Sequence, residues 1–284
     1  MKFLVMGAYG LLGSRLCPAL EVAGHRVVKQ SRWREAEFPV EPTDLASVEK
    51  LISTTAPDAV INLNALTDVD GCEDNPAEAY RANVRSAEVL ATLLQGTSIY
   101  LIHLSTDQVY SGKGPHQEHQ VLPCNVYALS KYAGELACQS IRASILRTNF
   151  VGRSVAAGRL GFTDWLYRAF SEHQKTTLFE DVWFSPLHID QLASALEWVG
   201  RKQPNGIFNL GARDGISKAG FALNFAERLG LDTSLAGLGK LAEKHLRAPR
   251  PLDMQLEVEE FERLRGTALP DIDLVINAAV ADYS

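Results

Sequence analysis

Short apolar runs separated by polar, turn-forming stretches dominate the first half of the chain. Several runs, such as Lys2–Met6, are apolar at nearly every position and show little alternation. Strands of a parallel sheet have this pattern because helices cover both faces of the sheet. The pattern therefore predicts parallel strands at residues 2–6, 26–29, 59–63, 98–104 and 144–147.

Stretches in which apolar residues recur at helical spacing lie between these runs. One helix is predicted to begin near Leu11, and a second to follow Thr43 as its N-cap. A third follows Asn75-Pro76, where asparagine caps the helix and proline occupies its first position. A fourth covers residues 127–138. This alternation of strands and helices predicts an α/β fold, a Rossmann-like doubly wound parallel sheet.

Beyond residue 148 the alternation becomes irregular. Helices are predicted at residues 162–170, 189–199 and 218–229, and a short strand at residues 207–210. We therefore predict two domains. Residues 1–148 form the Rossmann domain, and residues 149–284 form mainly a smaller α/β lobe that is interleaved with it.

Composition narrows the classes of function. The formal charge is 28 − 34 = −6, whereas a protein whose main partner is nucleic acid needs a basic face. No run of about 18 apolar residues occurs, so no membrane span is predicted. Glycines at positions 7, 10 and 13 interrupt the apolar start too early for a signal peptide. The four cysteines lack metal-ligand spacing and suit reduced thiols in a cytoplasmic protein.

A glycine-rich turn directly follows the first predicted strand and opens a helix. Gly7, Gly10 and Gly13 have the spacing G-x-x-G-x-x-G, with Leu11 and Leu12 between the last two. Glycines let the backbone approach a pyrophosphate, and the N–H groups at a helix start complement its negative charge. The turn therefore predicts a dinucleotide site; a glycine-rich loop without a ligand is the alternative.

The end of the second predicted strand bears on the choice of dinucleotide. Sites selective for NAD place an acidic residue there to hold the adenosine ribose 2′-hydroxyl. Here Ser31 and Arg32 follow Lys29-Gln30, and both could hold the 2′-phosphate of NADP. We therefore predict that the cofactor is NADPH, with NADH as the alternative hydride donor. The alternative interpretation of Arg32 is an exposed arginine that binds no ligand. Asp44-Leu45 is predicted to border the adenine.

Polar and small residues end two further strands. Ala65, Leu66 and Thr67 come after the third strand and are predicted to line the cofactor at the carboxyl edge of the sheet. The fourth strand ends in Ser105-Thr106, whose hydroxyl groups could donate to a carbonyl oxygen that gains negative charge. Polar turns at strand ends are the alternative in both places.

Tyr127 and Lys131 are four residues apart, so a helix places them on one face. An ammonium near a phenol favours the phenolate and lowers its pKa from about 10. Such a tyrosine can deliver a proton to a carbonyl group that is being reduced. This spacing is common by coincidence on helices. Together with the glycine turn and the strand that ends in hydroxyl residues, it indicates a proton donor.

Together these strings resemble the extended short-chain dehydrogenase/reductase superfamily, and within it the dTDP-4-dehydrorhamnose reductase family. The resemblance runs through most of the chain. Its motifs are the glycines of residues 7–13, residues 57–62, 67–70, 79–83, 105–107, 125–127, 146–148, 184–186 and 190–193, and Arg250-Pro251.

The resemblance implies a role for each matching residue. Thr106, Tyr127 and Lys131 would be the catalytic trio of a reductase that takes hydride from a nicotinamide cofactor. The cofactor would be bound by Gly7, Gly10, Leu11, Leu12, Gly13, Ser31, Arg32, Asp44, Leu45, Ala65, Leu66, Thr67, Leu104, Tyr127 and Lys131. The sugar nucleotide would be bound by Thr106, Asp107, Asn149, Phe150 and Arg250.

Two departures from the family pattern fall on the sugar side. Gln108 follows Thr106-Asp107 where the family has an aromatic residue, and Asn149-Phe150 replaces Ser-Trp. They leave the residues of the expected reaction unchanged, and the identity of the sugar is therefore not determined by the resemblance. The resemblance thus implies an NADPH-preferring reductase of a nucleotide-linked 4-keto-6-deoxy sugar, with a homodimer compatible with the sequence.

Other readings remain open at this point. One is a different nucleotide-sugar reductase or epimerase of the extended family. Another is a non-catalytic NADP-binding regulatory subunit, similar to the methionine adenosyltransferase β-subunit. No metal is predicted, because the acidic residues 68–74 and the pair His116 and His119 suit solvated turns. Trp165, Trp183 and Trp198 are predicted to pack the second lobe.

Overall fold

The computed structural model describes residues 1–33 and 35–284, and these form an α/β protein. The described strands follow the chain in short segments. They are β1 Lys2–Met6, β2 Arg26–Ser31, β3 Phe38–Pro39, β4 Ala59–Asn62, β5 Tyr100–Thr106, β6 Ala143–Thr148, β7 Phe150–Val151, β8 Thr176–Phe179, β9 Trp183–Phe184, β10 Leu187–His188, β11 Gly206–Leu210, β12 Ile216–Ser217, β13 Ala236–Gly239 and β14 Asp253–Met254.

Helices connect most of these strands. They are α1 Gly13–Val22, α2 Leu45–Thr55, α3 Val69–Asp74, α4 Pro76–Ala79, α5 Ser86–Leu94, α6 Val126–Cys138, α7 Phe162–Ser171, α8 Ile189–Lys202, α9 Lys218–Leu229, α10 Glu259–Arg265 and α11 Ile272–Ala281. A six-residue π-helix, Tyr80–Arg85, lies between α4 and α5. Of the helices in the described part of the chain, none has both the length and the apolar character that crossing a bilayer requires.

The largest sheet has seven strands in the order β11-β6-β5-β4-β1-β2-β3. Strand β1 pairs in parallel with β2 on one side and with β4 on the other, and β4 pairs in parallel with β5. This order confirms the predicted doubly wound sheet. Because neighbouring parallel strands end at the same edge, the segments that follow β1, β2, β4 and β5 come together there.

The chain divides into two compact units. Unit 1 comprises residues 1–106, 125–147 and 193–207, and unit 2 comprises residues 107–124, 148–192 and 208–284. The chain thus passes between the units several times. Residue 148, at which the sequence predicted a boundary, begins the second segment of unit 2.

The core of unit 1 explains why its strands are apolar on both faces. Residues 3–6 of β1 are all fully buried, as is Val60 of β4. Leu4 and Met6 share one core with Val48 of α2 and Leu90 of α5. Helices on the sheet therefore take the place of the solvated face that an alternating strand would have.

Unit 2 has a separate core and small sheets. Its strands pair as β10-β7, β12-β9-β14 and β13-β8. Leu166 of α7, Phe225 of α9 and Val275 of α11 meet in its core. These helices bury one face each, as amphipathic helices do.

Most predicted elements are present, with bounds that differ by a few residues. One helix start was wrong: Asp44, not Thr43, is the N-cap of α2. Thr43 instead donates its hydroxyl hydrogen to Glu41 Oε1 at 2.9 Å. Asn75 caps α4 by accepting from the Glu78 N–H at 3.2 Å, with Pro76 in the first turn, as predicted.

Candidate active site

The glycine turn after β1 has a backbone form that requires glycine. Gly7 has a φ of +81°, in the left-handed region. A Cβ at Gly13, where α1 begins, would lie 2.5 Å from the Ala8 carbonyl oxygen, so α1 packs directly on the turn. Leu12 caps α1 without a side-chain hydrogen bond. The turn therefore presents bare backbone and a helix start, which suits a phosphate group.

Gln30 of β2 holds this turn in place. Its side chain is fully buried, and its Oε1 accepts a hydrogen bond from the Gly7 N–H at 3.1 Å. Its Nε2 donates to the Val40 carbonyl oxygen at 2.5 Å. Sequence reasoning missed this residue. A glutamine two residues after the apolar Val28, on the same face of a strand, was the available signal, because buried amides need partners.

The segments predicted to contact the adenosine end are at the surface of unit 1. Ser31 is buried at the end of β2, and its hydroxyl oxygen accepts from the Trp33 N–H at 3.4 Å. Arg32 follows and is exposed, as are Asp44 and Leu45 at the start of α2. Their roles in binding a dinucleotide stay predictions.

The loop after β4 is tied to two helices by Asn83, a buried residue of the π-helix. Leu66 donates its backbone N–H to Asn83 Oδ1 at 2.8 Å and accepts from Asn83 Nδ2 at 3.1 Å. Asn83 Nδ2 also donates to the Ser130 hydroxyl oxygen of α6 at 2.9 Å. Ala65, Leu66 and Thr67 are thereby held in a fixed path. The sequence placed Asn83 in a family motif without giving it a role.

Lys131 of α6 is attached to the end of β5. It is 3% exposed, and its ammonium donates to the Leu104 carbonyl oxygen at 2.7 Å. Burial lowers the pKa of Lys131 to about 8, and the negative charge of Glu135 opposes this effect. The amine therefore carries a proton at neutral pH and is close to losing it. Leu104, predicted to line the cofactor, is also the residue that orients this amine.

Tyr127 lies one helical turn before Lys131, near the start of α6, and is 6% exposed. Asn125 caps this helix by accepting a hydrogen bond from the Ala128 N–H at 2.8 Å. Ser130 donates its hydroxyl hydrogen to the Tyr127 carbonyl oxygen at 2.8 Å. Since Ser130 also accepts from Asn83, the same polar chain fixes the helix turn that bears Tyr127 and the loop after β4.

A buried ion pair lies next to the two elements that bear the predicted catalytic residues, α6 and the end of β5. Glu135 and Arg147 are 0% and 1% exposed, and Arg147 Nε donates to the two carboxylate oxygens at 3.0 and 3.1 Å. Arg147 also reaches Glu135 through a terminal guanidinium nitrogen at 2.5 Å. Ser105, next to the buried Thr106, donates to the same carboxylate. Glu135 follows Lys131 by one helical turn, and its carboxylate joins α6 to β6 through Arg147 and to the end of β5 through Ser105.

Two buried nitrogen atoms at this edge have no hydrogen-bond partner within residues 1–33 and 35–284. One is Nε2 of His103 on β5. Because Asn62 Nδ2 donates to His103 Nδ1 at 3.1 Å, the neutral ring carries its proton on Nε2. Burial, with the charge of Lys131, lowers the pKa of His103 well below its usual range, which agrees with a neutral ring.

The other orphaned nitrogen is Asn64 Nδ2, after β4. Its side chain lies beside the glycine turn: a Cβ at Gly7 would be 3.2 Å from Asn64 Oδ1. A buried amide without a partner is costly unless a ligand completes it. The bare turn and this amide therefore fit a polar group bound against Gly7. Asn64 was named in the sequence only as part of a strand end.

Of the five residues predicted to bind the sugar nucleotide, Thr106 belongs to unit 1 and the other four belong to unit 2. Asp107 is buried and accepts a hydrogen bond from Asn149 Nδ2 at 2.8 Å. Asn149 and Arg250 line a cavity of about 350 Å³, and Arg250 donates to the Ala248 carbonyl oxygen at 3.1 Å. Phe150 instead belongs to β7 and pairs with Leu187 of β10. The structure thus brings three of these residues into one neighbourhood.

The same cavity contains residues that the sequence assigned to packing or left without a role. Trp165, expected to pack the lobe, is 41% exposed and lines the cavity. Its ring is stacked with Phe162, with centroids 6.1 Å apart. Lys218 and Gln108 also line it. Trp183, which was also expected to pack, is 40% exposed. A tryptophan at helical spacing reads as a core residue, which explains the error.

The acidic and histidine clusters have structural partners. Asp68 caps α3 by accepting from the Gly71 N–H at 3.0 Å, and Glu73 accepts from the Val126 N–H at 3.0 Å. His116 donates from Nε2 to the Asp253 carbonyl oxygen at 2.9 Å. These side chains therefore act as caps and braces of the fold.

Comparison with protein families gives a match along the whole chain. Residues 1–284 match the family described as RmlD substrate binding domain. A probable low-salt glycan biosynthesis reductase, Agl14, of Haloferax volcanii is 31% identical over 299 residues, with 100% of each chain covered. The dTDP-4-dehydrorhamnose reductase of Salmonella typhimurium is 27% identical, with 99% of this chain and 98% of that protein covered.

Comparison with solved structures supports the same fold. The dTDP-4-dehydrorhamnose reductase from Bacillus anthracis, solved in complex with NADP, superposes with a TM-score of 0.89. The match covers 99% of both chains at 21% identity, so it is evidence for the fold alone. The predicted fold class is confirmed.

Proposed function

Because the chain belongs to the RmlD substrate binding domain family, a family of nucleotide-sugar reductases, we propose that it is an NADPH-preferring reductase of a nucleotide-linked 4-keto-6-deoxy sugar. The observation that carries the proposal is the position of Lys131. Its buried ammonium is fixed to the end of β5, one turn after Tyr127, at the sheet edge that also bears the glycine turn. This arrangement suits proton delivery beside a bound dinucleotide.

The cofactor is assigned to unit 1. The backbone of Gly10, Leu11 and Leu12 would hold its pyrophosphate at the start of α1, and Asn64 Nδ2 would donate to it beside Gly7. NADPH supplies the hydride when it is bound. The exposed Arg32 after the buried Ser31 favours the phosphorylated cofactor, since a guanidinium forks onto phosphate oxygens. The Bacillus anthracis reductase holds NADP, which agrees with this assignment.

The proton step is assigned to Tyr127, with Lys131 and Thr106 in support. Lys131, protonated at neutral pH, stabilises negative charge on the Tyr127 phenol and so makes its proton easier to transfer. The Thr106 hydroxyl would donate to the substrate carbonyl oxygen and orient it. As hydride reaches the carbonyl carbon at C4 of the sugar, the phenol proton goes to the oxygen. The product is the alcohol, and solvent restores the phenol.

Substrate selection is assigned to unit 2. Asp107 and Asn149, joined by a hydrogen bond, would recognise sugar hydroxyls, with Phe150 as the adjacent aromatic residue. Arg250 on the cavity wall would meet the nucleotide end. Gln108, an amide at a position where the family resemblance implies an aromatic residue, would help to set which sugar is accepted.

A steady-state assay tests the proposal. NADPH oxidation is followed against a panel of dTDP- and UDP-linked 4-keto-6-deoxy sugars, with the wild-type protein and the Tyr127→Phe variant. We expect turnover of at least one sugar and a loss of about 100-fold or more in kcat for Tyr127→Phe, the scale of general acid catalysis. NADPH affinity should be unchanged.

The matched control is Tyr132→Phe, a tyrosine of the same helix that is half-buried and outside the site. It should keep full turnover. Near-normal turnover of Tyr127→Phe would contradict the proton-transfer role. Oxidation with none of the sugars, in a protein that binds NADPH, would contradict the reductase assignment.

A further inference from the structure

Lys218 of unit 2 is a cation in an unfavourable place. It begins α9, where the helix dipole already presents positive charge. Its ammonium is half-buried and lies 3.3 Å from the centroid of the Phe184 ring and 4.6 Å from that of Phe162. Residues 1–33 and 35–284 give this ammonium no ion pair and no hydrogen-bond acceptor.

The pKa of Lys218 shows that its position disfavours the charged form of the amine. Burial lowers the pKa of Lys218 to about 8, and the negative charge of Asp107 opposes the shift. Two aromatic faces stabilise a desolvated cation. They do not supply a counter-ion. An anionic ligand would give the ammonium a counter-charge and would interact favourably with the positive end of the α9 dipole. It would also raise the pKa of Lys218.

The cavity beside Lys218 has the composition of an anion site with a flat apolar wall. Among the described residues, its charged lining residues are Lys218 and Arg250, and no carboxylate lines it. The stacked pair of Trp165 and Phe162 forms an aromatic wall. A cavity of about 350 Å³ falls within the range that holds small ligands. A phosphate group attached to a planar base combines the two required properties.

We propose that Lys218 binds the diphosphate of the substrate's nucleotide in this cavity and thereby makes the protein selective for nucleoside diphosphates over nucleosides. The proposal rests on the proposed function and adds to it a residue that the family resemblance did not mark. Arg250 is the second cation of the same site. The aromatic pair of Trp165 and Phe162 stacks against the base.

Isothermal titration of the full-length protein with dTDP and with thymidine tests the role of Lys218. The variant is Lys218→Met, which keeps an unbranched chain over the Phe184 ring and removes the charge. We expect dTDP to bind about 10- to 100-fold more weakly than to the wild type, as for loss of a charged hydrogen bond. Thymidine affinity should be unchanged, and Lys218→Arg should recover most of the dTDP affinity.

Two controls separate this role from misfolding and from the reductase assignment. Lys175→Met removes an exposed lysine of unit 2 and should bind dTDP like the wild type. NADPH affinity, which is assigned to unit 1, should be equal in all variants.

If Lys218→Met and the wild type bind dTDP with equal affinity, the proposal about Lys218 is overturned. The proposed reductase function would still stand if the wild type turns over a 4-keto sugar. Failure of the wild type to bind dTDP would also overturn the proposal about Lys218. Turnover on the sugar panel would then decide the reductase assignment separately.

Discussion

The buried pair of Glu135 and Arg147 allows the sharpest test of how the site is supported. The Glu135→Gln variant keeps the size of the side chain and removes its charge. The guanidinium of Arg147, 1% exposed, would then be buried without a counter-charge. Ser105, which directly precedes Thr106, would lose its carboxylate acceptor.

The geometry sets the magnitude of this effect. Arg147 makes hydrogen bonds to both carboxylate oxygens, and neither side chain reaches solvent. Removing one partner of such a pair costs about 3–5 kcal/mol, because the remaining charge stays desolvated. For a unit of this size, about 2–4 °C are lost per kcal/mol. We therefore expect the melting temperature of unit 1 to fall by roughly 6–20 °C.

Scanning calorimetry of the wild type and three variants measures this loss. The double variant Glu135→Met/Arg147→Leu should be more stable than Glu135→Gln, since it buries no unpaired charge. The exposed pair of Arg168 and Glu172, with side chains 62% and 49% exposed, supplies the control. Glu172→Gln should cost less than about 1 kcal/mol.

A second readout connects the pair to catalysis. Glu135 raises the pKa of Lys131, so its neutralisation should lower that pKa further below about 8. The loss of activity at high pH should therefore begin at a lower pH in Glu135→Gln. A melting temperature within about 2 °C of the wild type, with an unchanged pH profile, would refute the reasoning.

Three further outcomes are expected. In the wild type, kcat/KM measured against pH should fall as pH rises through about 8, where Lys131 loses the proton that supports the Tyr127 phenol; a profile flat to pH 10 would contradict this role. Arg32→Ala should weaken NADPH binding about 10-fold or more, and NADH binding little, in fluorescence titrations; equal losses would show that Arg32 does not contact the 2′-phosphate. Gly134→Ala would place a Cβ 2.5 Å from the Asn83 carbonyl oxygen and should lower unfolding free energy by about 1–3 kcal/mol, whereas Gly237→Ala, whose Cβ would be 3.9 Å from its nearest neighbour, should be near neutral in urea unfolding.

The sequence by itself determined the parts of this protein that depend on neighbouring residues. Apolar runs predicted the strands of the sheet, and Asn75-Pro76 predicted a capped helix, because both signals lie within a few residues. The glycine spacing at residues 7–13 predicted a bare turn, and the structure shows why glycine is needed at Gly7 and Gly13. The helical spacing of Tyr127 and Lys131 predicted their shared face.

Contacts between distant residues were decided only by the tertiary structure. Asn83 joins Leu66 to Ser130, 17 and 47 residues away along the chain. Gln30 and Gly7 meet across adjacent strands, 23 residues apart. Asn83, Ser130 and Gln30 are ordinary polar residues in the sequence, and a hydrogen-bonding group gives no sign of which distant atom will be its partner.

The cavity in unit 2 shows the same limit. Trp165 was predicted to pack the lobe, and Lys218 had no predicted role beyond beginning a helix. Folding instead places Trp165 on a cavity wall and Lys218 over two aromatic rings. Local pattern fixes which residues form strands and helices. Burial, and therefore the charge state of Lys131 and Lys218, depends on which other segments pack around a side chain, and only the folded chain determines that.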